Sequence, residues 1–507
     1  MKIILLAGTL FLSLLAFTQT PKFISTDIDA YINKGITNFN IPGLAIAVVK
    51  DGKTIIMKGF GKKTINSPEP VDENSLFIIA SNSKLFTGTA LSMLHQNKTI
   101  NLNDKVTKYL PNFKLYNANS TALVTLKDLL CHRLGTTTFQ GDFTFWNSNL
   151  TEDEIIYKMR ILKPTQQFRA DYGYCNSAFL AAGAVIPKVL PGKTWFSFVH
   201  DSILNRIGMT NTFMYTKNLA TLPNHAMPHN DAWGKISVIP YDNVDNLGPA
   251  TSMVSCVKDI AKWLQFQLDS GKINGTQVIP WQVLQRTRDV NIITASRKNT
   301  VYPMHFRGYG LGVYTADYAG KQIYWHTGGA FGYVTNTCFV PEENLAITIL
   351  TNNDNQSFFE ALRYQILDAY LQPNAPFINR AEPILNSKIL NDQATIKTLT
   401  NLEAKIKLKG KMPFNQAALL GTYTNNVYGN ITIAKKNADY QINFEHHPNL
   451  KATLIYAYDS VCKITYNNIA YGIFEAPLKI ENGKIKSISI KASDFVEYDA
   501  YEFVKIK

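Results

Sequence analysis

A serine and a lysine lie three residues apart where an apolar run gives way to a helical pattern. The run ends at Ala80, and Ser81 and Lys84 begin the helix that residues 85–94 continue. Positions i and i+3 share one face of a helix, so Ser81 Oγ and Lys84 Nζ can meet. In the first turn, unpaired backbone N–H groups and the helix dipole favour developing negative charge. The pair therefore suits a nucleophilic hydroxyl beside an amine that takes its proton.

This spacing alone is weak evidence, because the chain repeats it at Ser255 and at Ser460. Ser255 precedes the amphipathic stretch 257–266, and we interpret it as the N-cap of a helix. Ser460 lies among strand-like segments, where positions i and i+3 point to opposite faces. Ser81 must therefore be distinguished by partners elsewhere in the chain.

Two further clusters offer those partners. Tyr174 and Asn176 lie in a polar loop before the small-residue helix predicted over 178–186, and they could handle a second proton and hold an amide. The Tyr-x-Asn pattern recurs elsewhere, so only its position sets it apart. The sequence His326–Gly328 occurs once, at the end of a strong strand pattern, where backbone N–H groups could stabilise an oxyanion.

The elements around these clusters predict an α/β (α+β) domain. Residues 43–50 and 54–61 are predicted strands joined by an Asp51-Gly52 hairpin turn. Strand patterns resume over 308–351, and a helix follows. The intervening stretch is mostly helical. We therefore expect an antiparallel sheet flanked by helices, with an inserted all-helical lobe.

The chain divides into four predicted parts. A positive Met1-Lys2, an apolar run and small residues before Thr20 indicate a signal peptide over 1–19, with an uncleaved membrane anchor as the alternative. The predicted α/β domain over 20–371 and a linker with some helix over 372–412 follow. Short alternating segments over 413–507 predict a C-terminal all-β domain, either a barrel or a sandwich. We expect an exported protein, periplasmic or secreted, with no stable membrane span after cleavage.

Composition argues against several classes of function. The net charge is +13, but the lysines are scattered and no basic run interleaves with aromatic residues, so we expect no nucleic-acid partner. None of the five cysteines forms a C-x-x-C pair, and the adjacent His446 and His447 point to opposite faces of a strand. We therefore expect no metal and no cofactor. The odd number of cysteines leaves at least one thiol unpaired within a monomer.

In order along the chain, Ser-x-x-Lys, Tyr-x-Asn and His-Thr-Gly resemble the serine β-lactamase and penicillin-binding-protein superfamily. The resemblance is to the class C β-lactamase-like branch, which includes esterases and D-amino-acid peptidases. Segments 129–135, 248–263 and 325–333 resemble further motifs of that branch. The resemblance covers about residues 25–371, and 413–507 resembles a β-barrel module appended to some members.

The resemblance implies a role for each site residue. Ser81 is the nucleophile that forms an acyl-enzyme, while Lys84 and Tyr174 share the general base and acid work in an undecided order. Both groups need lowered pKa values, and we expect the charge of Lys84 to lower that of Tyr174. The backbone N–H groups of Ser81 and Gly329 form the oxyanion hole. The implied substrate-binding and oxyanion residues are Asn176, His326, Thr327, Gly328 and Gly329.

One departure from the family pattern affects the expected substrate. β-Lactamases and most penicillin-binding proteins have Lys where His326 stands, and a histidine is mostly neutral at pH 7. Carboxylate recognition should therefore be weaker. We expect an ester, amide or peptide substrate, either a small molecule, a peptide or a peptidoglycan fragment. A β-lactamase or DD-peptidase is the alternative.

Two readings of another kind stay open. The same scaffold could carry a non-catalytic protein that senses the cell wall or binds a ligand. The C-terminal β domain could itself be a ligand-binding module. The oligomeric state stays open too.

Overall fold

The computed structural model describes residues 20–408, 410, 412–437 and 439–506. The predicted signal peptide lies outside these residues. Among the described residues, no helix is long and apolar enough to cross a bilayer.

Fifteen α-helices occur in the described residues. They are α1 (Ile28–Asn38), α2 (Ser83–Gln96), α3 (Ala118–Leu123), α4 (Leu126–Leu130), α5 (Asp142–Phe145), α6 (Glu152–Lys158), α7 (Asn176–Gly183), α8 (Ile186–Val189), α9 (Trp195–Val199), α10 (Asn205–Ile207), α11 (Gly248–Thr251), α12 (Val257–Leu268), α13 (Trp281–Arg288), α14 (Phe358–Leu371) and α15 (Ala381–Lys407).

The described strands fall into a large sheet, three two-stranded ladders and a barrel. They are β1 (Gly43–Lys50), β2 (Lys53–Gly61), β3 (Phe77–Ile78), β4 (His229–Asn230), β5 (Ser237–Val238), β6 (Val254–Ser255), β7 (Lys272–Ile273), β8 (Thr276–Gln277), β9 (Ile292–Ala295), β10 (Arg307–Tyr309), β11 (Tyr314–Tyr318), β12 (Lys321–Ala330), β13 (Tyr333–Val340), β14 (Leu345–Thr351), β15 (Gly421–Asn425), β16 (Gly429–Lys436), β17 (Asp439–Phe444), β18 (His447–Tyr458), β19 (Val461–Tyr466), β20 (Ile473–Glu481), β21 (Lys484–Ile490) and β22 (Tyr501–Lys505).

The large sheet has eight antiparallel strands in the order β2-β1-β14-β13-β12-β11-β10-β9. Strand β1 is an unbroken apolar run because both faces of the sheet are covered. Leu44, Ile46 and Val48 point into the apolar cluster that α1 and α14 share. Ala45 and Ala47 point to the opposite cluster, which contains α2 and α12. The sheet is thus a middle layer that holds α2, the helix after Ser81, against its inner face.

The helical lobe lies in the sequence between β2 and β9, as the sequence predicted. Together with the sheet it confirms the α/β fold class with an inserted helical lobe. The hairpin over β1 and β2 also forms where Asp51-Gly52 predicted it, and Asp51 has a φ of 51° and Gly52 a φ of 73°.

The C-terminal β domain is a closed barrel rather than a sandwich. Strands β15 to β22 each pair with the next, and β22 pairs back to β15. Alternate side chains, such as Ile431 and Ile433 of β16, point into its core. Within the segment predicted as a linker with some helix, α15 runs for 27 residues and contacts β18.

The strand pattern that resumes at residue 308 is interrupted in the structure after two residues. Strand β10 ends at Tyr309, β11 starts at Tyr314, and the residues between form a turn. Gly312 has a φ of 84°, and a Cβ there would lie 2.2 Å from the carbonyl oxygen of Lys84. Gly88 in turn leaves no room for a side chain, because a Cβ would lie 1.9 Å from the oxygen of Leu311. The turn therefore exists because it packs against the backbone of α2.

Candidate active site

Ser81 lies in a short 3-10 turn, Ala80–Asn82, that leads directly into α2. The preceding Ala80 has a φ of 45°, a left-handed conformation that costs a non-glycine residue about 1 kcal/mol or more. The turn is fixed from both sides, because Ile79 N–H donates to the oxygen of Met253 at 2.9 Å and Asn82 Nδ2 donates to Thr335 Oγ1 at 2.9 Å. These bonds hold the Ser81 hydroxyl at the mouth of a cleft.

Lys84 is completely buried beneath Ser81, and its amine has three close oxygen partners. Lys84 Nζ lies 3.0 Å from Ser81 Oγ, 2.7 Å from Asn176 Oδ1 and 3.0 Å from the backbone oxygen of Ala250. It also lies 4.6 Å from the centre of the Tyr174 ring. The predicted i, i+3 meeting of Ser81 and Lys84 therefore occurs.

The number of these partners fits a neutral amine. Two of the three oxygens are carbonyls that can only accept, and a neutral amine has two N–H groups for them and one lone pair for the Ser81 hydroxyl proton. Burial lowers the pKa of Lys84 well below its usual value, and the nearby Asp142 and Cys175 only partly oppose this shift. Lys84 is therefore placed to accept the proton of Ser81.

Tyr174 lies beside Ser81 and Lys84, and its pKa is shifted upward, in the opposite direction to that of Lys84. Burial raises its pKa well above 10, the neighbouring Tyr314 adds to the shift, and a hydrogen bond with Ser81 opposes it. The expectation that Lys84 lowers the pKa of Tyr174 was therefore wrong, because burial of the phenol is the largest cause of the shift and Lys84 is not among its causes. The phenol keeps its proton and can act as a donor.

Asn176 begins helix α7 and connects Lys84 to a buried acid. Its Oδ1 accepts from Lys84, and its Nδ2 donates to Asp142 Oδ2 at 2.6 Å. Burial raises the pKa of Asp142 well above its usual value, and Glu497 adds to the rise. The side chain of Asn176 is thus oriented by two groups at once. Its amide N–H₂, assigned to a substrate amide from the sequence, already has one protein acceptor.

His326 lies on β12, buried at the inner end of the cleft. Its Nε2 lies 2.9 Å from the hydroxyl of Tyr309 and its Nδ1 2.6 Å from the oxygen of Thr327. Burial lowers its pKa to about 3, so the ring is neutral at pH 7. This agrees with the neutral histidine expected from the sequence.

Strand β12 has a free edge next to the nucleophile. It pairs with β11 only from Lys321 to Trp325, whereas its pairing with β13 continues to Ala330. No described strand therefore covers β12 beyond Trp325 on that side. The edge lies against the turn of Ser81, because a Cβ on Gly328 would lie 2.0 Å from the oxygen of Ile79. Thr327 and Gly329 line the same cleft.

The barrel contributes one segment to this cleft. We call residues 491–500, between β21 and β22, the barrel loop. Its buried Glu497 accepts from the N–H groups of Gly141 and Phe143, each at 2.9 Å, and from the hydroxyl of Tyr501 at 2.8 Å. It thereby binds the first turn of α5, the helix that carries Asp142. Burial raises the pKa of Glu497 to about 7.

The cleft so formed has a volume of about 460 Å³. None of its described lining residues is a lysine or an arginine. Its polar groups are hydroxyls, the Asn176 amide, the neutral His326 and two aspartates, Asp142 and Asp494. The lining residues are Ser81, Thr138, Phe139, Asp142, Trp146, Tyr172, Tyr174, Asn176, Tyr314, His326, Thr327, Gly328, Gly329, Val334, Phe359, Asp494, Phe495, Val496 and Tyr498.

A protein-family model described as Beta-lactamase matches residues 28–371. The chain belongs to the beta-lactamase family. The match spans the sheet, the helical lobe and every residue of the constellation around Ser81. The class C-like resemblance read from the three motifs is thus confirmed at the level of the superfamily, and the fold is that of β-lactamase-family serine hydrolases.

Curated relatives in this family are distant. Protein flp of Staphylococcus aureus (strain NCTC 8325 / PS 47) is 25% identical over 359 residues, which cover 67% of this chain and 66% of that protein. Unguisins hydrolase ungD' of Aspergillus campestris (strain IBT 28561) is 26% identical over 373 residues, which cover 69% of this chain and 66% of that protein. The match thus spans just under two thirds of the length of each relative.

Two solved structures share the family fold. The octameric penicillin-binding protein homologue from Pyrococcus abyssi superposes with a TM-score of 0.59 at 18% identity, over 94% of this chain and 99% of that chain. The D-stereospecific amidohydrolase from Streptomyces sp. gives a TM-score of 0.54 at 18% identity, over 67% of this chain and 96% of that chain. The first of these matches covers the barrel as well as the hydrolase domain.

The two other Ser-x-x-Lys copies of this beta-lactamase-family chain have no comparable surroundings. Ser255 lies in β6, its hydroxyl is 2.8 Å from that of Thr212, and Cys256 is the N-cap of α12. The prediction that Ser255 caps the helix was therefore wrong by one residue. Ser460 lies in the turn between β18 and β19.

Sequence reasoning missed three groups that contact the constellation. They are the backbone oxygen of Ala250, the carboxyl of Asp142 and the barrel loop. Gly141, which has a φ of 91° just before Asp142, is the sort of turn residue that could have marked the start of α5. Ala250 lies in the 248–263 segment of the family resemblance, which gave no hint of a role for its carbonyl.

In the described residues, no group of three or more His, Cys, Asp or Glu side chains could hold a metal ion. All five cysteines are buried and free of disulfides. Cys175, between Tyr174 and Asn176, is buried in the lobe beside Ser177, with its sulfur 3.2 Å from the serine hydroxyl.

The pKa shifts predict the pH dependence of ester hydrolysis. Only the neutral amine of Lys84 can take a proton, so kcat/KM should fall as the pH drops through the lowered pKa of Lys84. As the pH rises, kcat/KM should already reach its plateau before about pH 10. Tyr174 stays protonated, so no alkaline fall is expected below about pH 10, and the neutral His326 should add no inflection near 6.5. A profile from about pH 5 to 10, corrected with the Ser81→Ala rate, measures this. A rate that is still rising tenfold per pH unit at about pH 10 would contradict it.

Proposed function

We propose that this protein is an exported serine hydrolase that cleaves ester, amide or peptide bonds through an acyl-enzyme on Ser81. The observation that carries the proposal is the Lys84 amine, buried and neutral in tendency, 3.0 Å from Ser81 Oγ with its two other partners both carbonyls. A plain helix start would leave such a lysine in solvent. Burial of an amine under a serine has a cost, and a role in proton transfer accounts for it.

The proposed reaction has two halves. Lys84 takes the proton of Ser81 as its oxygen attacks the substrate carbonyl, and the N–H groups of Ser81 and Gly329 stabilise the oxyanion. The leaving group then takes a proton from Tyr174, and Lys84 restores the proton of the tyrosine. Water then attacks the acyl carbon and gives a proton to the same pair, and that proton passes to Ser81 Oγ as its bond to the acyl carbon breaks, which releases the acid and restores the serine. No step requires a group that the chain does not supply.

The charge of the cleft supports the preference for substrates without a carboxylate. Among the residues that the structure describes, the lining has no lysine or arginine, and His326 is neutral. Penicillins and the ends of peptidoglycan stems carry a carboxylate, which an ion pair would bind. A hydrogen bond to a charged group contributes roughly 1.5–3 kcal/mol, so its absence lowers affinity by about 10-fold or more. The name of one similar protein, unguisins hydrolase ungD', supports hydrolysis as the reaction class.

A substrate panel tests the proposal. We expect turnover of p-nitrophenyl acetate and of a D-amino-acid amide, with kcat/KM for nitrocefin lower than for the ester by about 10-fold or more. Nitrocefin as the preferred substrate would establish the β-lactamase alternative instead. Absence of turnover on all three would favour the non-catalytic binding protein.

Export is proposed from the amino-terminal sequence alone. The charged start, the apolar run and the small residues before Thr20 have the composition of a secretory signal. Amino-terminal sequencing of the protein recovered from the periplasm or the medium should then begin near residue 19 or 21.

A further inference from the structure

The barrel loop forms one end of the cleft. Phe495 packs against the oxyanion strand, since a Cβ on Gly329 would lie 2.9 Å from Phe495 Cζ. The same ring stacks on Phe331 with centroids 5.5 Å apart. Tyr498 packs on Phe139 at 5.6 Å, and Phe139 in turn contacts the ring of Tyr174 at 5.5 Å. The loop thus closes the space beyond the Gly329 end of the free β12 edge.

The barrel loop is held in a fixed position. Glu497 accepts three hydrogen bonds, two of them from the first turn of α5, and it is buried. Within the loop, the N–H groups of Val496 and Glu497 both donate to the oxygen of Ser493. A loop anchored through its buried centre to another domain cannot move aside without breaking these bonds. We therefore treat Phe495 as a rigid boundary of the cleft.

The positions of the proton donors decide which part of a substrate meets this boundary. The leaving group must reach Tyr174. The ring centre of Tyr174 lies 6.3 Å from that of His326, and His326 is at the end of the free edge opposite to Gly329 and Phe495. The carbonyl oxygen is directed to the N–H groups of Ser81 and Gly329. The acyl chain then runs away from His326, along Gly329, toward Phe495.

We propose that Phe495 is a specificity-determining residue that ends the acyl subsite and restricts this enzyme to short acyl groups. The inference rests on the proposed Ser81 acyl-enzyme. It assigns the barrel a place in substrate selection, since the wall belongs to the barrel loop and not to the hydrolase domain.

Chain-length profiles test the inference on the full-length protein. With p-nitrophenyl esters from acetate to octanoate, the leaving group stays constant and only the acyl chain changes. We expect kcat/KM of the wild type to fall by about 10-fold or more from acetate to octanoate, and Phe495→Ala to raise the octanoate-to-acetate ratio by about 10-fold or more. Phe474→Ala, which removes a half-buried phenylalanine of β20 outside the cleft, should leave the ratio at the wild-type value.

Each result has a defined meaning. An unchanged ratio in folded Phe495→Ala, or a wild type that prefers octanoate, overturns the inference. If Phe495→Ala fails to fold, Phe495→Leu removes less of the side chain and should raise the octanoate-to-acetate ratio by a smaller amount. A wild-type kcat/KM that does not change with acyl chain length would overturn the inference without any variant. Acetate hydrolysis that persists in Ser81→Ala would instead refute the proposed acyl-enzyme, so the two failures are distinguishable.

Discussion

Ser81→Ala is expected to lower kcat for p-nitrophenyl acetate by about 10⁴-fold or more. The variant removes the only atom proposed to attack the carbonyl, while the oxyanion donors and the cleft stay in place. Residual catalysis from those features keeps the rate above that in water. The same variant should lose stoichiometric labelling by a fluorophosphonate, which mass spectrometry of the intact protein measures directly.

The chain supplies a matched control for this experiment. Ser460 has the same Ser-x-x-Lys pattern but lies in the turn between β18 and β19. Ser460→Ala should be labelled and should turn over substrate like the wild type. Labelling of Ser81→Ala at full stoichiometry would show that another residue is the nucleophile.

Lys84→Met should lower kcat by about 10³-fold, within the range that a positioned general base contributes. Methionine keeps most of the length and apolar contacts of the lysine but has no amine, so the Ser81 proton loses its acceptor. Since Tyr174 keeps its own proton, it cannot replace Lys84 at neutral pH. Stopped-flow release of p-nitrophenol separates this effect on acylation from any effect on deacylation.

Lys258→Met is the control for the amine. Lys258 belongs to the second Ser-x-x-Lys copy and is exposed on α12, so its replacement should change kcat by less than about 2-fold. Thermal unfolding of both variants shows whether they are folded. A folded Lys84→Met with more than about a tenth of the wild-type kcat would assign the base to Tyr174 instead.

Local patterns were enough to predict the elements that carry the nucleophile. The Asp51-Gly52 turn, the apolar run before Ser81 and the i, i+3 spacing of Lys84 all act within a few residues, so the sequence determines them directly. The same holds for the barrel, whose strands alternate apolar and polar residues. The exact break at 310–313 was missed, because Gly312 is required by contact with the backbone of α2 and not by its neighbours in sequence.

The rest of the site depends on distant contacts. The Lys84 partner Ala250 is 166 residues away, and Glu497 follows Gly141 by 356 residues. A carbonyl oxygen has no sequence signature, and an acidic residue in a polar loop is predicted to be solvated. The direction of the Tyr174 pKa shift was also missed, since it depends on how deeply the fold buries the ring.

The bond from Glu497 to the first turn of α5 has a consequence for biosynthesis. A ribosome makes Ser81, Lys84 and Tyr174 long before it makes the barrel loop. Until the barrel closes, α5 lacks its cap and the cleft lacks its end wall. A nascent chain therefore carries an incomplete cleft, and the selectivity proposed for Phe495 arises only when the last strands of the barrel are in place.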